Sequence, residues 1–182
     1  MLNLIEAFKR PYCGKLVEEF GAAYNKLFAP YEDTHVRFLE IGVWIGVSLQ
    51  IWKDFFNSIE LFAIDSDVIS IQLARKFGAT GFEGDQSYKP FMDWIASEIG
   101  NLDIVIDDGG HWCDDQQVSF NALWPIINKG GIYVIEDLWV ADERTLDGYE
   151  STLVFLDKLD IRKEYFIGNK GFEKDICVLY KD

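Results

Sequence analysis

Two short acidic stretches hold the residues best suited to chemistry: IDDGGHWCDD, residues 106–115, and IYVIED, residues 132–137. Asp108, Glu136 and Asp137 sit where apolar runs end. Like charges brought together need a cation, or each raises the others' pKa. Three carboxylates without a thiolate make a hard, all-oxygen site. That suits Mg²⁺, with Mn²⁺ or Ca²⁺ as alternatives. His111 follows Asp108 after two glycines, and the chain's other histidine is His35. A histidine on a glycine turn beside carboxylates is the natural general base near neutral pH. His111 is therefore expected to take a proton rather than a metal. Asp114 and Asp115 are expected to start a helix, where carboxylates are favoured. The cysteines are Cys13, Cys113 and Cys177, an odd number with no CxxC spacing. A disulfide framework or structural zinc is not expected, and Cys113 is read as packing.

A second constellation is the glycine turn EIGVWIG, residues 40–46. Glycines let the backbone approach a ligand, and the following helix offers free N–H groups. A dinucleotide fingerprint would read GxGxxG. Here Gly42 and Gly46 frame Val43, Trp44 and Ile45, and the central glycine is missing. Asp65 lies 65 − 42 = 23 residues past Gly42, at the end of the next apolar run. In nucleotide-binding sheets that position reads ribose hydroxyls; the other reading is a helix cap. Asp85, in EGDQS, is expected to face an adenine.

The elements that must position these residues alternate between strand-like and amphipathic runs, which argues for α/β with a parallel sheet. Strands are expected at 36–42, 59–65, 79–85, 102–107 and 132–137. Helices are expected over VSLQIWKDFF, VISIQLARKF, YKPFMDWIASEIG and DDQQVSFNALWPIIN, and KGG (129–131) reads as a turn. LVEEFGAAYNKLF (16–28) reads as an N-terminal helix, and 138–150 as a loop leading to a helix near 151–160. RKEYFIG (162–168) and ICVLYKD (176–182) flank the turn NKGFEK. No crossover helix fits between them, so they pair antiparallel. Five β/α units followed by a hairpin is the layout of class I AdoMet-dependent methyltransferases. The expected fold is a Rossmann-like, doubly wound, mostly parallel seven-stranded sheet with a C-terminal antiparallel hairpin. In the order 3-2-1-4-5, strands four and five lie about 4.8 Å apart. Their C-terminal ends open on the ligand crevice, so Asp108, Glu136 and Asp137 are expected to converge.

A length of 182 residues fits one domain. The balance of 17 basic against 31 acidic residues gives a net charge of −14. Such a field repels nucleic acid and anionic membranes. No apolar run reaches the roughly 18 residues of a membrane span, and MLNLIEAFKR does not read as a signal peptide. A cytoplasmic protein is expected.

FLEIGVWIGVSLQIWKDFF, GDQS, LDIVIDDGGH and GGIYVIEDLW together resemble the metal-dependent sugar O-methyltransferases of macrolide biosynthesis. The mycinamicin and tylosin pathway enzymes typify that family, and its looser relatives carry a cephalosporin hydroxylase label. The resemblance spans roughly residues 36–140. It implies that Asp108, Glu136 and Asp137 hold Mg²⁺ and that His111 is the base. It also implies an AdoMet-binding core over 36–182, with a helical cap over 1–35. Glu40, Gly42, Gly46, Ser48, Asp65, Asp85, Gln86 and Asp107 are the expected cofactor residues. The implied acceptor is a hydroxyl of a sugar or another vicinal diol, with Trp112, Trp139 and Tyr149 either lining its site or packing. The family usually has Ser where Gly110 stands, and this sequence does not carry the large N-terminal domain of the macrolide enzymes. The N-terminal helix is expected to cap the site or to make a homo-oligomer contact. Two other readings stay open. One is a non-catalytic AdoMet-binding module, whose sign would be a broken base or metal set. The other is an Fe(II) hydroxylase, which needs two histidines and a carboxylate.

Overall fold

The computed structural model describes residues 3–11, 13, 17–167 and 173–182. Seven strands form one sheet: β1 (His35–Ile41), β2 (Ser58–Asp65), β3 (Thr80–Glu83), β4 (Leu102–Asp107), β5 (Ile127–Ile135), β6 (Lys163–Phe166) and β7 (Ile176–Tyr180). Their order is β3-β2-β1-β4-β5-β7-β6. The pairings from β3 through β5 are parallel, while β7 runs antiparallel between β5 and β6. This is the expected doubly wound sheet closed by a hairpin. Most of the predicted turn NKGFEK lies outside the described residues.

The helices are α1 (Leu4–Ala7), α2 (Val17–Phe28), α3 (Val47–Phe55), α4 (Val68–Lys76), α5 (Lys89–Ile99), α6 (Cys113–Leu123), α7 (Leu138–Glu143) and α8 (Thr152–Lys158). Strand side chains alternate between faces, and the central strands are apolar on both. Val36 and Phe38 of β1 join one core with Phe8, Tyr24, Phe28 and Trp52. Leu39 and Ile41 join the other, with Met92, Phe120 and Tyr133. The first core is aromatic: Phe28 and Trp52 contact each other, and each contacts Tyr24 and Phe38, with ring centroids 4.9 to 5.9 Å apart.

Three expectations shift. Residues 138–143 are helical rather than loop. The stretch KGG lies inside β5, where the register against β4 slips and Gly130 has φ 80. An irregular strand of this kind carries turn residues, so its local signal reads as a break. The helix expected over 114–128 ends at Leu123, because Pro125 has no N–H to continue it and a 3₁₀ turn takes over at Trp124–Ile126.

Candidate active site

The turn leaving β1 meets the turn leaving β4. Gly42 has φ +79, and a Cβ there would stand 2.1 Å from the Asp108 carbonyl oxygen. The two turns are stitched to the sheet by Gly42 N–H to Ile64 O (2.8 Å) and Asp108 N–H to Ile41 O (3.0 Å). Above them opens a cleft of about 560 Å³, lined by Gly42, Asp65, Asp85, Gln86, Asp108 and Asp115 among others. A cleft at the carboxyl ends of parallel strands is where such sheets bind ligands, and this volume suits a small organic molecule.

Asp65 fixes the glycine turn. Its Oδ2 accepts the N–H groups of Val43 (2.9 Å) and Trp44 (3.1 Å). Trp44 thereby holds a left-handed φ of 45. The cap of α4 is Asp67, whose Oδ2 accepts the Ser70 N–H at 3.1 Å, so the cap reading of Asp65 is replaced. Asp85 accepts both the N–H and the Oγ–H of Ser87 at 2.8 Å. Gln86 bridges the two constellations. Its Nε2 donates to Asp107 Oδ1 (3.0 Å) and Ser119 Oγ (3.2 Å), and its Oε1 accepts the Gly110 N–H (3.0 Å).

The remaining expected cofactor residues sit behind the cleft wall rather than on it. Glu40 is fully buried and accepts from Ser48 Oγ (2.9 Å) and Trp52 Nε1 (3.0 Å). Glu40 and Ser48 therefore lock β1 to α3. Gly46 turns the chain at φ +74, and a Cβ there would meet the Phe77 ring at 2.9 Å. Asp107 is fully buried and accepts from Gln86 and from the Tyr133 hydroxyl (3.3 Å). Burial pushes its carboxyl up to about 7, against the pull of the Gln86 hydrogen bond. These residues shape the turns that border the cleft.

Asp108, His111 and Asp137 each present one ligand atom, and those atoms all lie within 4.8 Å of one another. His111 Nε2 stands 3.5 Å from Asp137 Oδ2. Both residues adopt left-handed backbone, with φ 59 at His111 and φ 54 at Asp137. Histidine and aspartate tolerate that region better than most residues, yet it costs of order 1–3 kcal/mol and clusters at functional sites. The buried Nδ1 of His111 has no hydrogen-bond partner among the described residues. Glu136 takes a different place. Its side chain is buried, and it accepts the Tyr24 hydroxyl. Its N–H donates to Asp107 O (3.0 Å), and its carbonyl accepts Gln116 Nε2 (3.1 Å). The strand ends at Ile135, so Glu136 turns inward while Asp137 turns toward His111.

Sequence reasoning missed Tyr24, Gln116 and Arg144. Tyr24 looks like an ordinary apolar-face residue of α2, so no local signal marks it. Arg144 Nη1 donates to Gly110 O (3.1 Å), and its guanidinium lies 5.7 Å from the Trp112 ring centre. Asp115 was expected to start α6; it does so by accepting the Trp112 N–H at 3.2 Å, and it also floors the cleft. A Cβ at Gly110 would lie 2.1 Å from Asp115 Oδ2, so a side chain there requires the Asp115 carboxylate to shift. Trp112 and Tyr149 are exposed, whereas Trp139 is half-buried in α7. His35 opens β1 with its Nδ1 2.8 Å from Ser58 Oγ. The length of β1, about 20 Å, separates it from His111, so the two histidines do not form an Fe(II) triad.

No family model matches the chain. Among curated proteins, mycinamicin VI 2''-O-methyltransferase of Micromonospora griseorubida is 39% identical over 129 residues, covering 67% of this chain and 32% of its own. Demethylmacrocin O-methyltransferase of Streptomyces fradiae is 39% identical over 146 residues, covering 76% and 36%. The chain thus spans about a third of the length of these relatives. MycE methyltransferase of the mycinamycin pathway, solved with Mg, SAH and mycinamycin VI, superposes with a TM-score of 0.80 at 28% identity, over 99% of this chain and 53% of that one. An O-methyltransferase from Bacillus cereus, at 13% identity and a TM-score of 0.65 over 97% of this chain and 87% of its own, shares the fold. The chain has the Rossmann-like, class I methyltransferase fold and is a relative of the macrolide sugar O-methyltransferases.

Proposed function

We propose that the protein is an AdoMet- and Mg²⁺-dependent O-methyltransferase acting on a hydroxyl of a sugar or another vicinal diol. The observation that carries this reading is the double position of Asp108. It lines the cleft and also belongs to the group with His111 and Asp137. A methyl donor in the cleft and a metal-held acceptor would meet there.

The residues present fit both groups. Asp65, Asp85, Asp108 and Asp115 make the cleft acidic, which favours a sulfonium cation. Two carboxylates at half-buried positions form a hard donor set that leaves places for water or substrate oxygens. The buried Nδ1 of His111, without a hydrogen-bond partner among the described residues, suits a proton or a polar ligand atom. Bound Mg²⁺ would lower the pKa of an acceptor hydroxyl, and bound AdoMet would offer its methyl group. Asp108 and Asp137 would hold the cation, with Glu136 behind them. His111 would remove the hydroxyl proton onto its imidazole. Gly42 and Asp65 would hold the methyl donor, with Asp85 at its adenine end. Glu40, Gly46, Ser48, Gln86 and Asp107 would keep the turns in place. Trp112, exposed beside His111, is the candidate acceptor wall, with Tyr149.

No helix of the described residues is long and apolar enough to cross a membrane. The net charge of −14 opposes nucleic-acid binding, and a cytoplasmic location belongs to this reading. Calorimetric titration with AdoMet, with and without Mg²⁺, tests the core of this reading. Micromolar binding followed by methylation of a glycoside or diol panel is expected. Failure to bind AdoMet rejects it; binding without transfer to any diol favours the non-catalytic module.

A further inference from the structure

The site includes a residue from the N-terminal helices. Tyr24 of α2 is fully buried, and its ring lies 6.0 Å from Phe8, 4.9 Å from Phe28 and 5.6 Å from Trp52. Its hydroxyl donates to Glu136 Oε1. Burial above all, then the charge and hydrogen bond of Glu136, then the charges of Asp108 and Glu40, hold the phenol far above its ordinary pKa.

Glu136 is tied at three points: Tyr24 at its carboxylate, Asp107 at its N–H and Gln116 at its carbonyl. The next residue, Asp137, carries the left-handed backbone, and Leu138 N–H is fixed to Asp175 O at 3.0 Å. A strained residue persists only where its surroundings over-determine it. The ties on Glu136 and Leu138 do this for Asp137. Of these ties, Tyr24 is the one that reaches from outside the sheet and its crossovers.

We propose that Tyr24 is a positioning residue of the metal centre: its hydroxyl anchors Glu136, and through it the Asp137 carboxylate, opposite Asp108. This rests on the metal-dependent reading above. Outer-shell partners of metal sites typically change metal affinity about 10- to 100-fold. The alternative is that the bond only satisfies a buried pair, in which case stability depends on it and metal affinity does not.

The test is Mn²⁺ binding to the full chain, without AdoMet, followed by the EPR signal of free Mn²⁺. Tyr24→Phe keeps the ring and removes the hydroxyl. Its Kd for Mn²⁺ is expected to rise about tenfold or more. Phe28→Leu, in the same aromatic cluster, is the packing control and is expected to lower Tm with Mn²⁺ affinity unchanged. Glu136→Gln reads the link from the other side and is expected to weaken Mn²⁺ at least as much as Tyr24→Phe. If Tyr24→Phe does not fold, wild-type Mn²⁺ affinity in Glu136→Gln still overturns the proposal, because the Tyr24 hydroxyl acts only through Glu136. Wild-type affinity in either folded variant overturns the role of Tyr24 while leaving the metal reading intact. A wild-type chain that binds no Mn²⁺ overturns the metal reading and this inference with it.

Discussion

His111 is held by its backbone as much as by its side chain. The Gly109–Gly110 turn aims it, with Gln86 Oε1 on the Gly110 N–H and Arg144 on the Gly110 carbonyl. General bases contribute about 10²- to 10⁴-fold. His111→Ala is therefore expected to lower kcat by that factor and to leave AdoMet affinity within about twofold, since His111 does not line the cleft. Single-turnover kinetics with calorimetry reads both, and undiminished transfer removes His111 from the mechanism. A second residue gives a pH signature. Burial pushes Asp115 up to about 6, above an ordinary carboxyl, with the Trp112 N–H opposing. A group whose pKa is raised on folding binds its proton more tightly in the folded state. Its contribution to stability is full below about pH 4 and is lost as pH rises through 6. Asp115→Asn should reduce the fall in stability between pH 5 and 8, by up to about 1 kcal/mol after solvent screening. Urea midpoints at the two pH values measure it, and an identical fall in both proteins refutes the assignment.

At the scale of elements, the site depends on two turns that touch through backbone. Gly42 approaches the Asp108 carbonyl so closely that no Cβ fits, and its φ of +79 excludes an easy substitute. Gly42→Ala forces the β1–α3 and β4–α6 turns apart. A loss of about 2 kcal/mol or more is expected, from strain and overpacking together, with AdoMet affinity falling alongside stability. Thermal melts with and without AdoMet decide this; a ligand shift equal to wild type contradicts the packing account. Glu40, Ser48 and Gly46 belong to the same coupling without lining the cleft. They fix α3 against β1, and the turn between them follows.

At the scale of the molecule, the two cores on either side of the sheet differ in kind. One is an aromatic cluster that joins the N-terminal helices to β1 and α3; the other is mostly aliphatic under α5, α6 and α8. Cys113 and Cys177 are fully buried, Cys177 within this second core, and burial pushes the Cys177 thiol up to about 12. Only the thiolate reacts. Both cysteines should resist a maleimide until the sheet unfolds, while Cys13, half-exposed, labels first. Labelling of Cys177 in the native protein at a rate near that of Cys13 would show that β7 opens on its own.

The sequence by itself determined the elements and their order. Period-two and period-3.6 patterns are local, and the hairpin after five β/α units leaves little choice of topology. It also determined which residue types stand at the carboxyl edge, because strand ends are local too. Gly42, Asp65, Asp85, Gln86 and Asp108 line one cleft at that edge. Only the tertiary structure decided how the acidic residues divide. Asp108 and Asp137 face His111, whereas Glu136 turns to Tyr24, more than a hundred residues away in the chain. A one-residue step past a strand end reverses where a side chain points, and left-handed backbone at Asp137 and His111 changes it again. No pattern of residue types encodes those dihedrals. They are set by contacts that Tyr24, Gln86, Gln116 and Arg144 make across the fold, and such contacts exist only once the chain has folded.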